Sequence, residues 1–351
     1  MSYPCLNINL KTITNNVKTL VSLCNKHGIE ITAVSKVFSA QPEIVKAYID
    51  GGIRRVGDAR VQNLAKIADL DCEKWLIRTP QLSMVHDTVK YADVSLNSEI
   101  NVIKALADEA KAQGKVHKIV LMYDLGDLRE GFIDEDEFGK AAEFVEGCDS
   151  LELYGTGTNL TCFSFVHPDA EKLTKLKSIA EKYGADKYIS GGNSATVDLM
   201  LKGGIPQGIN LLRLGESLLF GRERAFYNYL PDTKNDAFIM EAEIVEVKEK
   251  PSMPWGHFGK DSYGNSPAFV DKGIRKRAIA ALGKQDVDVE TMWAMDEDLE
   301  ILGTSSDHLV MDITECKTDY KVGDIVKFRL GYYATLRAFT SQYVEKIYIN
   351  K

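Results

Sequence analysis

The chain predicts an α/β protein: a (β/α)8 TIM-type barrel at the N-terminus, followed by a smaller all-β domain. Two observations carry this. Over the first two-thirds, short apolar runs alternate with amphipathic stretches at a regular pace, and after about Tyr229 the helical spacing gives way to β-type runs. Strands that alternate with helices imply a parallel sheet, and about eight such repeats imply its closure into a barrel. An open doubly wound sheet would want a GxGxxG turn after its first strand, and none is present.

Taken in order, residues 9–26 read as a helix, with Ile13, Val17, Leu20 and Leu23 on one face. Apolar runs at 29–34, 53–56, 75–77, 94–96, 118–123, 151–154, 188–189 and 209–212 read as the barrel strands. Helical patterns lie between them at 42–49, 61–67, 98–112, 135–145, 168–183 and 196–201. Pro42 and Pro168 sit where a first-turn proline belongs. Residues 230–236 read as a linker, and β-type runs follow at 238–248, 278–282, 299–302, 309–313, 325–330 and 343–349. The expected domains are therefore a barrel over 1–232 and a β domain over 233–351.

Composition narrows the function. The 351 residues carry 43 Lys+Arg against 51 Asp+Glu, a net charge of −8, which argues against nucleic acid or anionic membrane as a partner. The compact basic run Arg275-Lys276-Arg277 opens an apolar stretch and reads as a solvated strand edge. The six cysteines are scattered without C-x-x-C, and the six histidines show no H-x-x-x-H, so no metal site or disulfide framework is expected. No secretory signal and no apolar run near the roughly 20 residues of a membrane span is visible. A cytoplasmic protein is expected.

In a (β/α)8 barrel the site lies where the strands end. The residues that follow the eight runs are Lys36, Gly57-Asp58, Arg78, Asn97, Asp124 with Arg129, Thr158-Asn159, Ser190 to Ser194, and Arg213 with Gly215-Glu216. The turns Gly191-Gly192-Asn193-Ser194 and Gly215-Glu216 follow strands seven and eight, where barrels commonly bind a phosphate through backbone N–H groups. Ordinary βα turns are the other reading. Lys36 ends an apolar run; it is either a surface lysine or, if desolvated, an amine able to form a Schiff base. A lysine of that kind beside a phosphate clamp is the minimal specification for pyridoxal phosphate.

The residues themselves resemble the fold-type III pyridoxal phosphate family of alanine racemases, ornithine racemases and small cofactor-homeostasis proteins. Ala33-Val-Ser-Lys36 resembles the lysine-bearing segment, and Gly57-Asp-Ala-Arg60-Val-Gln62 is similar to the Gly-Glu-Asn-Arg-Val-Gln element of the homeostasis proteins. The stretch from Asp124 to Arg129-Glu-Gly131 is similar to a racemase segment ending Gly-Arg-Leu-Gly. Gly192-Asn193-Ser194-Ala195 resembles Ala-Asn-Ser-Ala, and Leu212-Arg213-Leu-Gly215 resembles Val-Arg-x-Gly. Ser262-Tyr263-Gly264, Gly303 to Asp307 and Val322-Gly323-Asp324 are similar to racemase β-domain patterns. The match runs nearly end to end.

The resemblance implies that Lys36 carries the cofactor as an aldimine and that Ser194, Gly215 and the Glu216 N–H bind its phosphate. Arg213 would face the pyridine nitrogen, and Arg129 would lie near the phenolic oxygen and the substrate carboxylate. Asn159 falls where the alanine enzymes place a ring-stacking histidine. A guanidinium keeps its proton, so Arg213 leaves the ring nitrogen unprotonated and favours racemisation over decarboxylation. Where the alanine enzymes use a β-domain tyrosine as second acid/base, this chain has Leu282-Gly-Lys284-Gln-Asp286. Lys284 can take that role if its pKa is lowered; otherwise it is a plain turn residue and Tyr263, His308 or a water serves. The segment Gly157 to Cys162 and the Lys284 turn are similar to the ornithine racemase branch. The expected protein is a homodimer with shared active sites that interconverts L- and D-amino acids, ornithine or a similar basic one. The alternatives are a non-catalytic cofactor carrier and a fold-type III decarboxylase; Asp286 and Asp288 are candidate partners for a substrate side-chain ammonium.

Overall fold

The computed structural model describes residues 2–260, 264 and 269–350. They form two compact units: Asn9–Ala237, and Phe238–Ile349 together with the N-terminal residues up to Ile8.

The chain begins with strand β1 (Cys5–Asn9), then α1 (Leu10–Asn25). Eight strands follow: β2 (Glu30–Val34), β3 (Arg55–Asp58), β4 (Glu73–Leu76), β5 (Val94–Asn97), β6 (His117–Met122), β7 (Leu151–Gly157), β8 (Tyr188–Ser190) and β9 (Leu211–Leu214). All pair in parallel with their sequence neighbours, and β2 pairs with β9, closing the barrel. The expected (β/α)8 barrel is therefore present. Between the strands lie α2 (Pro42–Asp50), α3 (Val61–Lys66), α4 (Val85–Tyr91), α5 (Ile100–Ala112), α6 (Glu135–Glu146), α7 (Ala170–Lys182) and α8 (Thr196–Leu201), with α9 (Glu216–Phe220) after β9.

Local chemistry sets the helix starts. Asn9 caps α1 by accepting from the Thr12 N–H, Asp134 caps α6, and Asp169 caps α7. Pro42 occupies the first turn of α2 as expected. Pro168 does not: α7 starts after its Asp169 cap, because the carboxylate satisfies an N–H that the proline position cannot.

Alternate residues of the strands fill the barrel with side chains, including Trp75, Val94, Leu96, Val120, Met122, Tyr154 and Leu211. Toward the strand starts, Glu73 is the hub of a polar floor. It accepts from Lys118 Nζ at 2.7 Å, Trp75 Nε1 at 2.8 Å and the Tyr154 hydroxyl at 2.9 Å, and pairs with Arg55. Burial opposes the ionised form, yet these donors hold the Glu73 carboxyl below its ordinary range. The outward residues of β6 to β8 pack under α4 to α7 in a second apolar layer containing Ile103, Leu106, Ile119, Leu121, Phe138 and Leu176.

In the other unit, β10 (Phe238–Pro251), β11 (Ile274–Ala280), β12 (Met292–Ala294), β13 (Glu300–Thr304), β14 (Leu309–Asp312) and β15 (Ile325–Leu330) pair antiparallel, β1 pairs antiparallel with β10, and β16 (Glu345–Ile349) pairs with β1. A helix, α10 (Tyr332–Thr340), precedes β16. The first half of β10 pairs with β15 and β1, and the second half pairs with β11 after a register shift between Ile244 and Glu246. Two expectations change here. Residues up to Ile8 group with the β unit, because β1 hydrogen-bonds to β10, and the units divide at Ala237/Phe238 instead of 232/233. The run Arg275-Lys276-Arg277 lies on β11, where Arg275 pairs with Asp312 and Glu315 and Lys276 with Asp319; it is an ion-paired strand face. Among the described residues no helix is long and apolar enough to cross a membrane.

Candidate active site at the barrel mouth

The register of β2 against β9 pairs Thr32 with Arg213 and Ala33 with Leu214. Lys36 opens a one-turn 3-10 helix directly after β2, so this pairing brings the Lys36 segment alongside the Arg213 segment. Gly215 lies against Val34; a Cβ there would stand 3.2 Å from Val34 Cβ, so the bare backbone permits the approach. Just beyond Lys36, Ser39 and Ala40 hold left-handed backbone with φ of 53° and 50°. Side-chain residues pay for such conformations with strain, which concentrates at functional turns.

The turn is anchored from β3. Ser35 Oγ donates to Asp58 Oδ2 at 2.8 Å, while Asp58 Oδ1 accepts from the Arg60 N–H at 2.9 Å and Asn63 Nδ2 at 3.0 Å. Asp58 is wholly buried, and burial pushes its carboxyl up against the pull of those donors. Asp58 stands in the sequence only as a strand-end residue without an evident role. A polar residue after a glycine was the signal, and its outward direction became visible only with the register.

Arg213 is buried, with Nη1 donating to Ser190 Oγ and Nη2 to the Thr158 carbonyl at 2.6 Å. Gly157 makes room for it: a Cβ there would stand 3.4 Å from Nη1 and 3.0 Å from Met122 Sδ. Burial lowers the guanidinium to about 10, so it stays charged at neutral pH.

Ser194 Oγ accepts from the Gly215 N–H at 3.4 Å and the Ser217 N–H at 3.3 Å. The N–H groups that meet this hydroxyl are thus those of Gly215 and Ser217. The Glu216 carboxylate pairs with Arg222 at 2.7 Å. Among the described residues, Ser217 Oγ, Thr158 Oγ1 and Thr32 Oγ1 are buried without a hydrogen-bond partner. Buried orphan hydroxyls are uncommon and mark a place for a polar ligand. A hydroxyl and N–H groups at a helix start suit a phosphate, and Lys36 and Arg213 suit a carbonyl and a ring nitrogen. These residues fit pyridoxal phosphate.

The three loops around this cluster are tied together. Asn159 Nδ2 donates to Asp127 at 3.4 Å, and Asn159 Oδ1 accepts from Asn193 Nδ2 at 3.1 Å. Asn193 Nδ2 also reaches the Leu160 carbonyl, and Asn193 Oδ1 accepts from the Ala195 N–H. Asn159, at the position where the alanine enzymes place a ring-stacking histidine, thereby also links these loops. Asp127 in turn accepts from the Phe163 and Ser164 N–H groups. Arg129 donates from Nε and Nη2 to its neighbour Glu130. Among the described residues, no group of three or more His, Cys, Asp or Glu is placed to hold a metal ion.

Lys284 lies in the β unit, exposed in a turn docked on the segment before β14. Its N–H donates to the Ser305 carbonyl at 3.0 Å, and its carbonyl accepts from Arg337 Nη1 at 2.6 Å. Gly283 is required there, since a Cβ would stand 2.0 Å from the Ser306 carbonyl oxygen. His308 belongs to the same patch, its N–H bonded to Ser305 Oγ at 3.1 Å. Tyr263 and Ser262 lie outside the described residues. Asp286 accepts from the Gly283 N–H within its turn and from Ser341, 55 residues on, and Asp288 accepts from Thr291 within its own turn.

A parallel barrel with lysine, arginine and an anion cradle at its mouth defines a class of cofactor-dependent enzymes, and comparison with known proteins is specific within it. Residues 8–223 match the alanine racemase N-terminal domain. The chain is 44% identical to ornithine racemase of Acetoanaerobium sticklandii, over 98% of this chain and 99% of the relative. It is 38% identical to lysine racemase of Thermotoga maritima, over 99% of each. An alanine racemase structure from Bartonella henselae, with covalently bound pyridoxal phosphate, superposes with a TM-score of 0.74 at 16% identity, covering 99% of this chain and 100% of that one. The chain belongs to the alanine racemase family.

Proposed function

We propose that this amino-acid racemase acts on a basic amino acid, ornithine or lysine, with pyridoxal phosphate as cofactor. Two relatives that match across both units bear those substrate names, which supports the substrate class and argues against a carrier or decarboxylase reading. The observation that supports the cofactor is the Thr32–Arg213 register, which runs the strand that ends before Lys36 alongside the strand that carries Arg213 and leads to Gly215, whose N–H, like that of Ser217, donates to Ser194.

When bound, pyridoxal phosphate supplies an electron sink that acidifies the substrate α C–H. Lys36 holds the cofactor and moves the α-proton on one face. Ser194 and the N–H groups of Gly215 and Ser217 hold the phosphate. Arg213, which retains its proton, would face the ring nitrogen and leave it unprotonated, which favours racemisation over decarboxylation. Arg129 receives the substrate carboxylate. Lys284 serves as the acid/base of the opposite face, in a homodimer whose sites are shared between subunits. All six cysteines are free thiols, which suits the reducing cytoplasm.

Borohydride treatment of the yellow holoprotein, followed by peptide mapping, should fix the cofactor to Lys36. A Lys36→Ala protein that still fixes it at wild-type occupancy would remove the assignment. L-ornithine or L-lysine incubated with the wild type should yield the D-enantiomer; release of carbon dioxide without it would remove the racemase reading.

A further inference from the structure

We propose that Glu130 is a positioning residue, holding the Arg129 guanidinium in the orientation that receives the substrate carboxylate. This rests on the racemase reading above and adds to it a residue that the resemblance does not supply. Where the resembled segment reads Gly-Arg-Leu-Gly, this chain has glutamate after the arginine.

The backbone of the segment is fixed independently of that pair. Asp124 Oδ1 accepts from the Gly126 N–H at 2.8 Å and the Leu128 N–H at 3.2 Å. Gly131, at φ 137°, packs so closely that a Cβ would stand 2.5 Å from the Asp124 nitrogen. Leu128 takes left-handed backbone at φ 54°, and buried Asp127 binds the neighbouring loop. Such a frame fixes the Arg129 Cα but leaves a long side chain with several rotatable bonds. Glu130 supplies the missing constraint, accepting from both Nε and Nη2. A fork of two parallel charge-assisted bonds sets the plane of a guanidinium, which one bond cannot do. The remaining edge of that plane is left for a second anion.

Charge argues in the same direction. Arg129 lies near enough to disfavour the charge of Arg213, and Glu130 favours the charge of both. The Arg129 side chain is 40% exposed and that of Glu130 22%, so solvent screens the pair in part and the constraint is chiefly one of geometry. Leucine at this position offers neither constraint nor charge.

The test compares wild-type, Glu130→Gln and Glu130→Asp holoenzymes by two readouts. The first is the rate of phenylglyoxal modification of Arg129, followed by peptide mass spectrometry. The second is KM and kcat for L-ornithine or L-lysine. We expect Glu130→Gln to speed Arg129 modification and to raise KM, each about tenfold, with kcat within about threefold of wild type. Glu130→Asp keeps the charge and should recover part of both effects. Unchanged Arg129 reactivity, a reactive Arg129 with unchanged KM, or a loss confined to kcat would each overturn the proposal. Borohydride fixation at Lys36 is the control. If it is normal while Glu130→Gln changes nothing, this proposal alone fails; if wild type does not fix the cofactor at Lys36, the racemase mechanism itself fails.

Discussion

Arg213 Nη2 donates to the Thr158 carbonyl at 2.6 Å, while its Nη1 is held by Ser190, the last residue of the neighbouring strand. Two fixed acceptors on the ends of β7 and β8 therefore orient a buried cation from β9. Lysine has a single nitrogen and cannot meet both acceptors in one plane. Arg213→Lys should cost about 2–4 kcal/mol of stability by chemical denaturation, because it leaves a buried charge under-bonded. Racemase activity should fall with it. A variant as stable as wild type would show that this double anchorage contributes little.

Ser194 offers a separable test of the cradle. Its hydroxyl faces two N–H groups and contributes little to packing, so Ser194→Ala should fold normally. Loss of one hydrogen bond to a charged phosphate corresponds to about 1.5–3 kcal/mol, or roughly 10- to 100-fold weaker cofactor binding. Titration of the cofactor-free variant with pyridoxal phosphate measures this directly. Unchanged affinity would place the phosphate elsewhere.

The barrel was legible because each strand is a short apolar run ending in a polar residue, and the eight runs recur evenly. Lys36, Arg213, Ser194 and Gly215 stand at those ends in the structure for the same reason. What the sequence could not convey was direction and register. Ser35 and Lys36 are adjacent, yet Ser35 turns to Asp58, a contact 23 residues distant that no local pattern encodes. Likewise, β1 is too short to show a period, and it is the hydrogen bonding to β10 that assigns it to the β unit. α10 was hidden by composition, since Tyr332, Tyr333, Thr335, Phe339 and Thr340 are residue types that favour strands and the segment lies among β-type runs.

His117 predicts an acid sensitivity outside the site. It is buried, with Nε2 2.8 Å from Ser95 Oγ, and burial pushes its pKa down from 6.5 to about 4. Between these values the unfolded chain binds a proton that the folded chain does not, so stability is full above pH 6.5 and falls as the pH drops toward 4. The full loss is on the order of 3 kcal/mol. Urea unfolding at pH 7 and pH 5 should show the decline in wild type, and His117→Gln should flatten it. An equal decline in both proteins would assign the acid sensitivity to other groups.

The second proton carrier is open to an isotopic test. Lys36 cannot serve both faces of the substrate if its nitrogen stays on one side of the cofactor plane, so a second group must deliver a proton opposite to it. In heavy water, the product enantiomer should then acquire deuterium at the α-carbon before the remaining substrate does. Lys284 and His308 share one patch of the β unit, both tied to Ser305, which makes them natural competitors for the role. If Lys284 is the carrier, Lys284→Ala should slow racemisation at least about 100-fold in both directions while Lys36 still exchanges the α-hydrogen of one enantiomer. Retained one-sided exchange separates this outcome from a collapsed fold, since a misassembled site would lose exchange as well as racemisation. A Lys284→Ala enzyme that racemises normally would leave Lys284 as a turn residue, and His308→Ala would then be the variant expected to show the one-sided exchange.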